Sequence, residues 1–280
     1  MVIYSVVLWL AVLVGGIFII RWFAQTDWGR KSLENAPARP NFMPYYFPFA
    51  VLLGWLALAS LGSSLAESLT SELTDWRQKF ATFSFFFAVE VVAVVFIVFS
   101  AQKYFINGVN GFGLKTRSVF QDFFSSAGVF IIVWPFVTLS LALVVAIGEQ
   151  IMGSDFQMQK NEGLAVLLEY KQMSLRILMI VFAAGLTPIF EELVFRGLLQ
   201  TYFRETLCYK PWIGIFITSA IFSLLHPLMH LPAIFILSVA MGYVYEKSGS
   251  LWRAIFIHCI FNSSQIAMAL LLQSQYSLGK

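Results

Sequence analysis

Apolar residues run down this chain in long, nearly uninterrupted stretches rather than alternating. The stretches cover approximately residues 3–23, 44–66, 80–101, 126–148, 174–194, 211–228, 231–246 and 252–272. Runs of about 20 apolar residues match the length a helix needs to cross hydrocarbon. Strict alternation, the mark of a membrane β-barrel, is absent. The pattern predicts an all-α chain, a polytopic transmembrane helical bundle with about eight membrane segments. Polar loops marked by Pro and Gly separate them, such as Gln25 to Asn41 and Asn107 to Ser126. The second carries Val119, Phe120, Phe123 and Phe124 beside Asp122, which fits either a short interfacial helix or an ordinary loop.

Composition agrees: 59% of the 280 residues are hydrophobic and 12% charged, with mean hydropathy +0.78. A net charge of +3 without a basic cluster offers nothing to nucleic acid. The first apolar run, Ile3 to Ile20, precedes the first positive charge, Arg21, so it reads as a retained helix rather than a signal peptide. Lys and Arg favour the loops after the first, third, fifth and seventh segments, which places both termini outside. Cys208 and Cys259 form no disulfide framework. Neighbouring His258 is poorly aimed to activate Cys259, because adjacent helical side chains diverge.

Charge at the end of an apolar run changes the picture. Glu191-Glu192-Leu193-Val194-Phe195-Arg196 closes the fifth segment. A charged group at the membrane centre costs about 3 kcal/mol on insertion scales, so such groups are candidates for function. Glu192 and Arg196 are four apart on one helical face and can pair. Glu191 lies about 100° round the helix and is left for chemistry. Pro188 frees backbone groups just before the pair and can redirect the chain. Glu90 sits alone in mid-segment three, where pairing with a neighbouring helix is its plainest reading.

All three histidines, His226, His230 and His258, fall in the last third. His226 ends Phe222-Ser223-Leu224-Leu225-His226, and His258 shares a face with Asn262. The order E-E-x-x-x-R, F-x-x-x-H, H-x-x-x-N on successive apolar helices resembles the CPBP intramembrane protease family. That family groups type II CAAX prenyl endopeptidases with bacteriocin-processing and self-immunity proteins. The resemblance covers residues 174 to 272, implying a protease domain at 174–272, helices without a recognised motif at 1–173, and a tail at 273–280.

The resemblance implies that Glu191 and His226 activate a water against a peptide carbonyl. It implies that His258 and Asn262 stabilise the oxyanion, with Glu192 and Arg196 supporting the site. The residue types suit those tasks. A carboxylate among apolar groups is a stronger base than one in water. Imidazole and amide N–H groups are oxyanion donors. No cofactor is expected, but zinc held by His226, His258 and Glu191 stays open. Against zinc, no H-E-x-x-H occurs, and no further carboxylate lies within a turn of either histidine to hold its other nitrogen.

The expected partners are the lipid bilayer and a peptide or protein substrate, lipidated or not. The expected location is the plasma (inner) membrane in a bacterium or the endoplasmic reticulum in a eukaryote. Two other classes fit the helices: a non-catalytic scaffold or immunity protein, and an ion-coupled transporter. Simple alternation of eight spans puts His226 at a different depth from Glu191. A non-spanning stretch from Glu192 to Glu205 would reconcile them.

Overall fold

A computed structural model describes residues 2–153, 156–159, 161–206 and 210–278, with side chains from residue 9 to residue 274 of these. Cys208 therefore lies outside the described residues. The described chain is helical, with one isolated antiparallel bridge, Asn41 to Phe105. Its helices are α1 (Val2–Gln25), α2 (Phe47–Leu69), α3 (Asp75–Tyr104), α4 (Gly108–Phe112), α5 (Val119–Met152) and α6 (Glu162–Glu169). Then follow α7 (Met173–Val181), α8 (Thr187–Glu192), α9 (Thr201–Thr206), α10 (Pro211–Leu224), α11 (Leu231–Ser248) and α12 (Leu251–Leu278).

Among the described residues, six helices are long and apolar enough to cross a membrane, rather than the eight expected. They are Phe47–Leu69, Asp75–Tyr104, Thr116–Met152, Met173–Thr206, Leu228–Ser248 and Leu251–Ser274. Pro211–Leu224 is an apolar but shorter helix, and so is Trp9–Gln25, the part of the 24-residue α1 whose side chains are described. Pro211 opens α10, where its missing N–H costs nothing. The helix stops at Leu224, before the 226–227 His-Pro step, because the residue preceding a proline is pushed out of the helical region.

The stretch expected to be interfacial or loop, Val119 to Phe124, is instead the start of α5. Asp122 explains why a polar turn persists there. Its carboxylate accepts from Ser118 Oγ at 2.8 Å, Ser250 Oγ at 2.6 Å and Arg253 Nε at 2.6 Å. The expected non-spanning stretch after Glu192 is also helical. α7, α8 and α9 form one run broken only by two π segments, Phe182–Leu186 and Leu193–Gln200.

The helices cluster into two compact units. The first combines residues 1–39, 113–159 and 199–257. In it α5 packs on α1 and α11, and α10 packs on α9 and α11. Buried Glu246 of α11 is its polar hub. It pairs with Arg39 and with Arg204, the latter at 2.7 Å, and accepts from Gln200 Nε2 at 2.9 Å. Arg204 also donates to the carbonyls of Ala36 and Pro37, fixing the loop after α1.

The second unit combines residues 40–112, 160–198 and 258–280. In it α3 packs on α2, α4, α7 and α8. Val166, Leu167, Leu175 and Met179 form its apolar cluster, with Phe80, Phe83 and Ile266 against them.

Candidate active site

Glu191 and Glu192 sit between the two π segments, and the local backbone follows from Pro188. In the register of the first π segment, Thr187 N–H donates to Phe182 O, five residues back. The next donor in that register would be residue 188, to Ala183 O. Proline has no N–H. Asn262 Nδ2 supplies the missing bond, donating to Ala183 O at 2.8 Å. π-bulges of this kind gather at functional sites.

The second unit then builds a chain of charges. Arg196 Nη1 donates to Glu192 Oε1 at 3.0 Å, one turn along as its i, i+4 spacing requires. His258 Nδ1 meets the same oxygen at 2.9 Å. A carboxylate only accepts, so Nδ1 carries the hydrogen of that bond. His258 Nε2 consequently faces the other way, 3.6 Å from Glu191 Oε2. That separation is longer than a hydrogen bond, as catalytic contacts are in structures without substrate.

Burial separates the two glutamates. The Glu192 side chain is 0% exposed and that of Arg196 1%, whereas Glu191 keeps 15%. Glu192 is thus enclosed with its partners, and Glu191 is the carboxylate that water can reach. Phe190, packed on Trp55 with ring centres 5.2 Å apart, walls the turn before them. Gly197 follows Arg196 because a Cβ there would stand 2.1 Å from Phe112 Cζ.

The second unit therefore brings together Glu191, Glu192, Arg196 and His258, with Asn262 one turn beyond His258. His226 belongs to the first unit, past the end of α10, where Nδ1 lies 2.9 Å from Phe222 O. His230 Nε2 lies 2.8 Å from Gln159 O in the same unit. Glu90 is buried in α3 and accepts from Thr187 Oγ1 at 2.9 Å, so its partner is a hydroxyl on α8 rather than a cation. Cys259 is a free, half-buried thiol.

A carboxylate does reach the other nitrogen of His258, from far along the chain. No carboxylate lies near His258 along the chain, but Glu192 supplies one from another helix. His258 Nε2 is thereby oriented as it would be in a metal ligand or a proton carrier. Among the described residues, no three His, Cys, Asp or Glu side chains gather into a metal-holding group.

Residues 173–264 match the family model described as Rce1-like type II CAAX prenyl endopeptidase. Over 119 residues the chain is 27% identical to an uncharacterized 24.3 kDa protein of Escherichia coli. The alignment covers 41% of this chain and 55% of that relative. The chain thus spans little more than half the length of the relative it matches. No solved structure matches it.

Proposed function

We infer the function from one premise: residues 173–264 belong to the Rce1-like type II CAAX prenyl endopeptidase family, a family of proteases. The chain hydrolyses a peptide bond of a membrane-associated or lipidated protein or peptide. The bilayer brings enzyme and substrate together.

One observation carries the reading: water-accessible Glu191 faces His258 Nε2 at 3.6 Å, while enclosed Glu192 and Arg196 hold the far side of that imidazole. Glu191 takes a proton from water as its oxygen attacks the scissile carbonyl, the step to which the family resemblance also assigns His226. The carbonyl becomes a tetrahedral oxyanion. Nδ1–H is committed to Glu192, so donation from His258 to that oxyanion runs through Nε2 and needs a second proton on the ring. One Asn262 amide hydrogen is engaged by Ala183 O, and the second is available to the same oxygen. The proton held by Glu191 then passes to the leaving amine nitrogen as the C–N bond breaks. Serine and cysteine nucleophiles are not needed, and water activation proceeds without zinc.

The test is cleavage of a library of lipidated and unlipidated peptides by the purified full chain in detergent. Turnover by wild type, lost in Glu191→Gln, supports the reading. A wild-type chain that cleaves no member, or a Glu191→Gln variant that cleaves as wild type does, overturns it.

A further inference from the structure

The first unit contains a cleft of about 700 Å³, a volume in the ordinary range for small-molecule sites. α1, α5, α10 and α11 line it. Its lining includes the aliphatic Val133 from α5 and Ala240 from α11 and the aromatic Trp22, Trp212 and Tyr243. The polar atoms of those rings are already used. Trp22 Nε1–H donates to Tyr243 Oη at 2.9 Å, and Trp212 Nε1–H donates to Gly29 O at 3.1 Å. Trp212 lies stacked on Tyr243, ring centres 5.5 Å apart. With both indole N–H groups engaged, the lining presents mostly carbon, so it suits a hydrocarbon chain. Phe18 and Phe216 on its lining are about half exposed, so the cleft opens outward on surfaces that lipid tails contact.

One end of the cleft is different. Arg30 lines it just beyond the end of α1, exposed and in no ion pair among the described residues. Trp28, 80% exposed, stands at the same end, as aromatic residues do at headgroup level. Arg21, Lys31 and Lys247 are also exposed around this turn, and Lys247 Nζ donates to Ser32 O at 2.6 Å. Asp27 and Glu34 are the acidic residues of the same turn, so cations predominate there.

We propose that this cleft binds an anionic glycerophospholipid from the bilayer, one acyl chain lying against the packed rings of Trp22, Trp212 and Tyr243 and the phosphate headgroup on Arg30. Hydrocarbon walls and a guanidinium at headgroup depth match the two halves of that molecule. A free phosphate would leave the apolar interior empty, and an apolar peptide helix would leave Arg30 without a counter-charge. The lining of the cleft shares no residue with the site at Glu191, so the lipid proposal does not rest on the proposed protease activity.

The test is native mass spectrometry of the purified full chain, released from detergent with phosphatidylglycerol or phosphatidylcholine of identical acyl chains. Retention of phosphatidylglycerol is expected to exceed that of phosphatidylcholine at least ~10-fold, the factor expected for one well-placed charge-assisted contact. Arg30→Ala should erase that preference and Arg30→Lys should keep most of it. Ala240→Phe, or Val133→Phe if that variant does not purify, should lower retention of both lipids by blocking the chain. Equal retention of the two lipids by wild type would mean a general lipid coat and would overturn the proposal. So would unchanged retention in the blocked cleft, or displacement of the lipid by a prenylated peptide at equal concentration.

Discussion

Removing Arg196 should destabilise this protein before it changes anything else. Both strong donors to Glu192, Arg196 Nη1 at 3.0 Å and His258 Nδ1 at 2.9 Å, converge on Oε1. Glu192 Oε2 is buried without a hydrogen-bond partner among the described residues. Arg196→Met keeps most of the volume and deletes the charge, leaving an enclosed carboxylate held by one imidazole. Breaking one partner of a buried pair costs about 3–5 kcal/mol. The surviving His258 bond places this case near the lower figure, about 3 kcal/mol. For a chain of this size that corresponds to roughly 6–12 °C in Tm. Glu192→Gln should also destabilise, since it removes the negative charge that Arg196 pairs with, although the Gln oxygen can still accept from His258 Nδ1. The double variant removes both charges, so its loss should fall well short of the sum, with a coupling of about 2 kcal/mol or more. Thermal unfolding of the four proteins in one detergent, each also assayed for cleavage, measures this. Single variants that melt within 1–2 °C of wild type, a shift of well under ~1 kcal/mol, and yet lose all activity would refute the supporting role. They would move Glu192 and Arg196 into the reaction itself.

Glu191→Gln and His226→Ala should each lower cleavage by about 10²–10⁴-fold while inserting and purifying normally; undiminished turnover in either sinks the proposed water activation. Asn262→Ala should lower kcat by about 10²–10³-fold and melt lower by about 1–3 kcal/mol, because Ala183 O loses its donor. A fall in stability with kcat intact would make Asn262 a backbone patch for Pro188 and nothing more. Purified protein should hold no stoichiometric zinc and keep its activity after strong chelation; one zinc per chain, with activity lost on chelation and restored by zinc, would make His226, His258 and Glu191 ligands instead. Glu246→Leu should destabilise by about 3–5 kcal/mol, since Arg39 and Arg204 both lean on that carboxylate; a variant that melts like wild type would show the hub to be dispensable.

The sequence by itself determined whatever depends on local periodicity. Continuous apolar runs admit only helices in a bilayer, because every backbone polar group must be satisfied inside its own segment. The four-residue spacing of Glu192 and Arg196 put them on one helical face, where they could pair. The order of the motifs from Glu191 to Asn262 pointed to the family whose model matches residues 173–264.

Tertiary structure decided the rest, because it depends on which distant side chains meet. Glu192 and His258 are 66 positions apart, and nothing in either neighbourhood announces that they share a hydrogen bond. The same holds for Asn262 and Ala183, and for Glu90 and Thr187. Helix ends were equally hidden. α5 reaches back to Val119 only because Ser250 and Arg253, far along the chain, satisfy Asp122. The polar hub at Glu246 escaped notice because Arg39 and Arg204 belong to separate polar stretches, and only packing turns them toward one carboxylate. Periodicity assigns a residue to a face of its own helix. It does not say what faces it, and in an interior of low dielectric that neighbour determines whether a carboxylate is enclosed with a cation, as Glu192 is, or left open to water, as Glu191 is.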